Sequence, residues 1–300
     1  MPKRLIPGLA LAGVLLVSAC GGSSSGPTGS TSSCGSDAAK PAKTIAPPPS
    51  SDLFQAGTLT FGSDVSYPPQ EFYPDGCPKT ADGFDLDVAK AVAARMGLKF
   101  AVVDTKFDSI IPALQTKKFD AIISAMTITD DRKKVVKFVP YFSAGESFVT
   151  LSSSSKSPQS ISDLCGLKVA VEKGTTEESD ATDANDPAKK GPCASKPIDF
   201  KSTDFDKDTQ SLEALRKGTA DVHFTDSPVA SYELLKNSDL KITTKAILST
   251  APEGIAARAD DATMFTAINA AFEAMKADGT YATLLKKWKL EAGDISKASS

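Results

Sequence analysis

The chain has 300 residues, with 37 acidic against 34 basic side chains, a formal net charge of −3 and 24% charged residues. This is the composition of a globular protein, and no basic block offers a surface for nucleic acid or a polybasic contact with a membrane. The single histidine, His223, excludes a catalytic zinc held by several histidines and any Ser-His-Asp array built around another histidine.

Lys3 and Arg4 precede the apolar stretch Leu5–Val17, which is too short for a membrane-spanning helix of about 20 residues and reads as an export signal. Val17-Ser18-Ala19-Cys20, followed by two glycines, resembles a bacterial lipobox in which Cys20 is lipidated and becomes the mature N-terminus. An ordinary secretory signal ending at a chance cysteine is the alternative. Without Lys3 and Arg4, 32 basic residues face 37 acidic ones, a net charge of about −5. From Gly21 to Ser50, 21 of 30 residues are Gly, Ser, Pro or Thr, too little apolar surface to offset the entropy of ordering. Residues 1–19 are therefore expected to be the signal and 20–56 a lipidated tether, with folded sequence starting near Gly57.

Beyond Gly57, helical and strand-like stretches alternate, the signature of α/β architecture. Leu86, Ala89, Val92, Ala93 and Met96 fall at helical spacing, with Gly97 as the stop. A helix is expected over 108–117 with Asp108 as N-cap, followed by a short buried strand, Ala121-Ile122-Ile123. Lys168–Glu172 reads as a strand ending on Gly174-Thr175-Thr176. Ser211–Lys217 reads as a helix closed by Gly218, and Asp221–Phe224 as the next strand. A helix from Ala262 to Lys276 and a terminal one carrying Tyr281, Leu284, Leu285 and Trp288 complete the chain, and no fixed-period repeat is present.

With Cys20 assigned to lipid, Cys165 and Cys193 bracket one strand-helix unit and are paired in this reading. Whether Cys34 and Cys77 pair with each other or stay free is left open. Irregular spacings without a CxxC argue against zinc.

The informative chemistry lies at strand ends. In Ser124-Ala125-Met126-Thr127-Ile128-Thr129-Asp130-Asp131-Arg132, Thr129 is the expected N-cap and Arg132 falls in the first helical turn. A cation there is disfavoured by the helix dipole, unless an anion such as a carboxylate completes the site. The competing reading is a solvated Arg132 paired with Asp130 or Asp131. Thr175 and Thr176 add hydroxyls and backbone donors, while Asp226 and Asp64 place carboxylates at two further strand ends. Taken singly, each acid reads as a cap or turn residue. Together with one guanidinium they supply what an α-amino acid zwitterion needs.

Gly62-Ser63-Asp64 with Tyr67-Pro68-Pro69, Gly83-Phe84-Asp85-Leu86-Asp87, Phe107 with Ile111-Pro112-Ala113-Leu114-Gln115, Asp120 to Arg132, Lys173-Gly174-Thr175-Thr176, Asp226-Ser227-Pro228 and Lys276 to Tyr281 occur in one order across residues 57–290. In this the sequence resembles the polar amino acid-binding proteins of ABC importers, solute-binding protein family 3. The resemblance implies a periplasmic-binding-protein-like α/β fold of two lobes joined by two hinge strands, with the ligand between them. Lobe 1 would comprise 57–149 and 247–290, lobe 2 150–246, and 291–300 a tail. By the same resemblance Arg132 clamps the α-carboxylate, aided by Thr127 and the backbone near Ala125 and Thr176, and Asp226 takes the α-ammonium. Tyr67 and Phe107 wall the side-chain pocket, with Asp64 and Glu172 at its polar end. Ser124 and Thr175 complete the expected ligand-binding set.

Gln70 and the stretch Pro74–Ala81 depart from the family pattern, and both are expected near the cleft mouth. Glu172, at a variable family position, favours a basic or polar uncharged amino acid unless it pairs with Lys173 or another lysine. The implied protein is a monomeric, lipid-anchored importer component on the outer face of the cell membrane, with an amino acid as ligand and a membrane permease as partner. No cofactor, metal or catalytic residue is expected. Two alternatives use the same pocket: a cyclohexadienyl dehydratase with Glu172 or Asp226 as the proton donor, or a sensor reporting to a signalling partner. His223 is expected to be structural.

Overall fold

A computed structural model describes residue 41 and residues 44–201 and 204–297 of the chain. Its single sheet has the strand order β2-β1-β3-β9-β4-β7-β5-β6, with β8 paired to β4 off that path. The strands are β1 (Thr58–Ser63), β2 (Lys99–Asp104), β3 (Ala121–Ile122), β4 (Val136–Leu151), β5 (Val169–Glu172), β6 (Asp204–Phe205), β7 (Val222–Asp226), β8 (Leu240–Ile242) and β9 (Leu248–Arg258).

Two units of the same design flank the long strands. β1 lies parallel between β2 and β3, and β5 lies parallel between β6 and β7. Parallel neighbours need crossover connections. In the first unit these are α1 (Phe84–Arg95) and α2 (Phe107–Gln115), and a short α3 (Asp130–Lys133) follows β3. In the second they are α4 (Thr176–Asn185) and α5 (Asp208–Arg216), followed after β7 by α6 (Ser227–Lys236). The chain then returns through β9 to α7 (Ala262–Ala277) and α8 (Thr280–Trp288), which pack on α1.

β4 and β9 join the halves. They pair antiparallel from Val136 opposite Arg258 to Glu146 opposite Leu248, with register shifts at Pro140/Phe142 and Ala144/Glu146. Beyond Glu146, β4 exchanges this partner for β7 and β8. The apolar interior divides at the same place. Phe84, Tyr141, Phe142, Phe272 and Tyr281 form an aromatic group in the first half, and Phe148 packs edge-on against Phe224 at 4.8 Å in the second.

Several expectations are revised at element ends. α2 begins at Phe107, one residue early, with Lys106 as its N-cap, so Asp108 lies in the first turn and caps nothing. Folded structure starts before Gly57: Ile45 donates its N–H to Arg95 O at 2.7 Å and packs on the first core, and Leu53 is buried. The expected tail is likewise docked in its described part, with Ile295 against the same core and Gly293 so close to the Phe142 ring that a Cβ would meet it at 2.1 Å. Cys165 and Cys193 are disulfide-bonded, tying the turn before β5 to the segment after α4, with Cα atoms 4.9 Å apart. Cys77 is also in a disulfide. Cys20, Cys34 and the whole expected signal lie outside the described residues.

Candidate functional site

Ligands of open α/β sheets bind beyond the carboxyl ends of the strands. Here four such ends, those of β1, β3, β5 and β7, converge from the two halves on a cavity of about 310 Å³. It is lined by Asp64, Tyr67, Glu71, Phe107, Ser124, Ala125, Thr127, Arg132, Glu172, Thr175, Thr176, Glu177 and Asp226. Every ligand-binding residue expected from the sequence is therefore in the lining.

Asp64, one residue past β1, is saturated with donors. It accepts from Ser66 Oγ at 2.6 Å, from the Phe107 N–H at 3.0 Å and from Lys207 Nζ at 2.9 Å. Its own N–H donates to Ser124 Oγ, and the Ser124 hydroxyl donates to Glu71 Oε1 at 2.7 Å, locking the ends of β1 and β3 together. Ala125 adopts φ 41°, and its N–H donates to Asp85 Oδ2 at 2.8 Å. That amide is thus engaged within the protein.

Arg132 decides between its two readings. Thr129 caps α3 as expected, its Oγ1 accepting the Arg132 N–H at 3.2 Å. Asp130 and Asp131 pair with Lys133 and Lys134 instead of Arg132. The guanidinium lies 5.2 Å over the Phe107 ring and donates to Thr127 O at 2.7 Å and, across the cleft, to Gly174 O at 2.9 Å. Both acceptors are carbonyls, so among the described residues the charge has no carboxylate ion pair.

From the second half, Glu172 ends β5 and Gly174 turns the chain with φ +80°. A Cβ on Gly174 would lie 2.8 Å from the Cα of Asp108 in the first half, so the two halves touch here. Thr175 caps α4, accepting the Glu178 N–H. The N–H groups of Thr176 and Glu177 begin the helix, where no acceptor lies one turn back. Asp226 closes β7 and meets Tyr67 from the first half: the tyrosine hydroxyl donates to Asp226 Oδ2 at 2.9 Å and accepts the Asp226 N–H at 3.0 Å.

Five carboxyl groups line the cavity against one guanidinium. Burial is the first cause of every shift among them; a neighbouring carboxyl comes next for Glu71, Glu172 and Asp226, whereas for Asp64 and Glu177 the next cause is a hydrogen bond that offsets burial in part. Glu71 is held well above the usual carboxylate range by burial and the neighbouring Asp85, and Glu172 by burial and Asp64. Burial and the charge of Glu177 hold Asp226 similarly high, and burial brings Glu177 to about 7. Glu71 Oε2, Glu172 Oε1 and Glu177 Oε1 are buried and receive no N–H or hydroxyl donor among the described residues; Glu71 meets the Asp85 carboxyl and Glu172 the Asp64 carboxyl.

Glu71, Glu177 and Lys207 escaped the sequence reading. Glu71 follows Tyr67-Pro68-Pro69-Gln70 and Glu177 follows Thr176, so their place beside these motifs is the one signal that points to them. Lys173 pairs with Asp206, leaving Glu172 without the lysine partner considered for it. Gln70 donates to Glu253 Oε2 at 3.1 Å, and neither it nor residues 74–81 are in the cavity lining. His223 is buried, with Nε2 2.7 Å from Asp208 Oδ1, and is not in the lining. No group of His, Cys, Asp or Glu suited to a metal ion occurs among the described residues.

Two parallel β/α units sharing two long strands, with a charged cavity between their strand ends, define a ligand-binding protein of the two-lobed solute-binding class. A model of the bacterial extracellular solute-binding proteins, family 3, matches residues 59–291, and the chain belongs to that family. ABC transporter arginine-binding protein 1 of Escherichia coli is 31% identical over 240 residues, covering 78% of this chain and 91% of the relative. The histidine-binding periplasmic protein of Salmonella typhimurium is 30% identical over 237 residues, covering 77% and 86%. Among solved structures, a mutant of ArgBP from T. maritima aligns with a TM-score of 0.69 at 39% identity, covering 77% of this chain and 95% of that one. The family and these relatives are binding proteins and not enzymes, and the chain is a binding protein that acts outside the cytoplasm.

Proposed function

We propose that this protein is the substrate-binding component of an ABC importer that captures a cationic amino acid between its halves and hands it to a membrane permease. The acid content of the cavity carries the reading: five carboxyl groups face one guanidinium, three of them hold a buried oxygen that receives no N–H or hydroxyl donor among the described residues, and a bound cation favours their ionised forms. Leaving such atoms unpaired is costly, and a ligand with two ammonium or guanidinium groups satisfies them. The relatives named for arginine and histidine agree in ligand class.

In this reading Arg132 binds the α-carboxylate, together with Thr127 and the first N–H groups of α4, whose dipole favours an anion. Asp226 and Glu177 take the α-ammonium. Glu172 and Glu71 receive the side-chain cation, and Tyr67 and Phe107 form the walls. Asp64, Ser124, Ala125 and Thr175 shape the pocket through the bonds they make to its other members. Lobe 1 comprises 57–149 and 247–290 together with the docked ends at Ile45, Leu53 and Ile295, and lobe 2 comprises 150–246, with hinges in β4 and β9. Because each lobe holds part of the ligand, closure is coupled to occupancy, and the permease reads the closed form. The chain acts as a monomer tethered to the outer membrane face through lipid on Cys20 after removal of residues 1–19.

Calorimetric titration with arginine, lysine, histidine, glutamine and glutamate tests the ligand class. A cationic amino acid binds tightest, and Glu172→Gln narrows its advantage over glutamine. Tight glutamate binding with no response to the cationic ligands overturns the reading.

A further inference from the structure

Lys207 lies between β6 and α5 in the second half, yet its ammonium is bound in the first. It reaches across the cleft to Asp64 Oδ1 at 2.9 Å and to Asp104 Oδ1 at 2.6 Å. The contact is not a loose surface pair, since the Asp64 side chain is 2% exposed and that of Lys207 24%. Its neighbour Asp206 pairs with Lys106 in the opposite sense, so charges of both signs cross at this point.

We propose that Lys207 is a specificity-determining residue of the binding site: by seating the protein's own cation on Asp64, it withdraws that carboxylate from the ligand and sets how strongly the pocket selects a cationic side chain. The argument rests on the proposed amino acid-binding function. With donors from Ser66, Phe107 and Lys207, both Asp64 oxygens are occupied, whereas Glu172 and Glu71 each keep a buried oxygen that receives no N–H or hydroxyl donor among the described residues and faces only another carboxyl, that of Asp64 or Asp85. The ligand cation is thereby directed to the two glutamates. Removing Lys207 frees Asp64 as a further buried carboxyl, which a cationic ligand can ionise and pair and a neutral one cannot. It also deletes a bond between the halves, weakening closure around every ligand alike.

The two effects separate in a calorimetric comparison of wild type, Lys207→Met and Lys207→Arg with arginine and glutamine, with thermal unfolding to confirm folding. Lys207→Met weakens glutamine binding and raises the arginine-to-glutamine affinity ratio by about fivefold or more. Lys207→Arg, which keeps the cation, leaves the ratio within about twofold of wild type. Equal weakening of both ligands by Lys207→Met makes Lys207 a latch only and overturns the inference while the function stands. Absence of amino acid binding by the wild type overturns both. If Lys207→Met does not fold, Lys207→Gln carries the same expected ratio.

Discussion

Tyr67 and Asp226 are 159 positions apart in the chain and are joined twice across the cleft: the tyrosine hydroxyl donates to the carboxylate at 2.9 Å and accepts the aspartate N–H at 3.0 Å. Thr225 Oγ1 adds a third bond to the same hydroxyl at 3.2 Å. One side chain of the first half thus satisfies the strand end that the second half brings to the site.

Tyr67→Phe removes these bonds and keeps the ring. Leaving the buried Asp226 amide unpaired costs about 1–3 kcal/mol, which lowers amino acid affinity by roughly 5- to 100-fold. Titration of the variant checks this, and unchanged affinity would mean that the bonds do not persist in the ligand-bound form.

Arg132→Ala is expected to abolish amino acid binding while the unfolding temperature stays within a few degrees of wild type. Among the described residues its guanidinium donates to the carbonyls of Thr127 and Gly174 and pairs with no carboxylate, so none of these loses an ion pair when it is removed. Retained binding with a large loss of stability would make Arg132 a structural residue.

Gly174→Ala places a Cβ 2.8 Å from the Asp108 backbone, at a φ of +80° that costs a residue other than glycine about 1–2 kcal/mol. Both effects oppose the closed arrangement of the halves. Affinity is expected to fall for all ligands by about tenfold or more, with the preference among them unchanged. A change in preference without a general loss would place Gly174 against the ligand side chain instead.

Burial brings the Glu177 carboxyl to about 7, and a ligand ammonium pairs with its ionised form. Binding a cationic amino acid therefore expels a proton, and affinity weakens as pH falls through this range by up to about tenfold per pH unit for one group. The ligand-free protein shows the opposite sign. A carboxyl whose folded pKa is raised binds its proton more tightly than in the unfolded chain, so its stabilising contribution is present at low pH and fades as pH rises towards 7. Titrations from about pH 8 to about pH 5.5 in buffers of different ionisation enthalpy measure the proton release, and pH-independent affinity would contradict it.

Elements whose pattern answers to one neighbour were legible in the sequence. In α1, Ala89, Val92, Ala93 and Met96 show helical spacing and pack on the first core, and the strand ends at Glu172 and Asp226 stand out because a turn and helix follow at once. β4 was not legible. Its 16 residues serve the first core through Tyr141 and Phe142 and the second through Phe148 and Val149, and two register shifts between them break the period of two. The docked ends of the domain, Ile45 and Ile295, were hidden for a related reason, since single apolar residues in polar segments carry no period.

By itself the sequence determined the α/β class, favoured the Cys165–Cys193 pair and pointed to most of the residues that line the cavity, because these rest on local pattern or on short motifs that occur in one order. The tertiary structure decided how those residues are used. Asp64 proved saturated, the Ala125 amide engaged by Asp85, Arg132 without a carboxylate, and Glu71 and Glu177 part of the lining. These outcomes depend on which donors reach which acceptors across the cleft. Bonds such as Lys207 to Asp64, 143 positions apart, arise only when two separately folded strand ends meet, and no local pattern records that meeting.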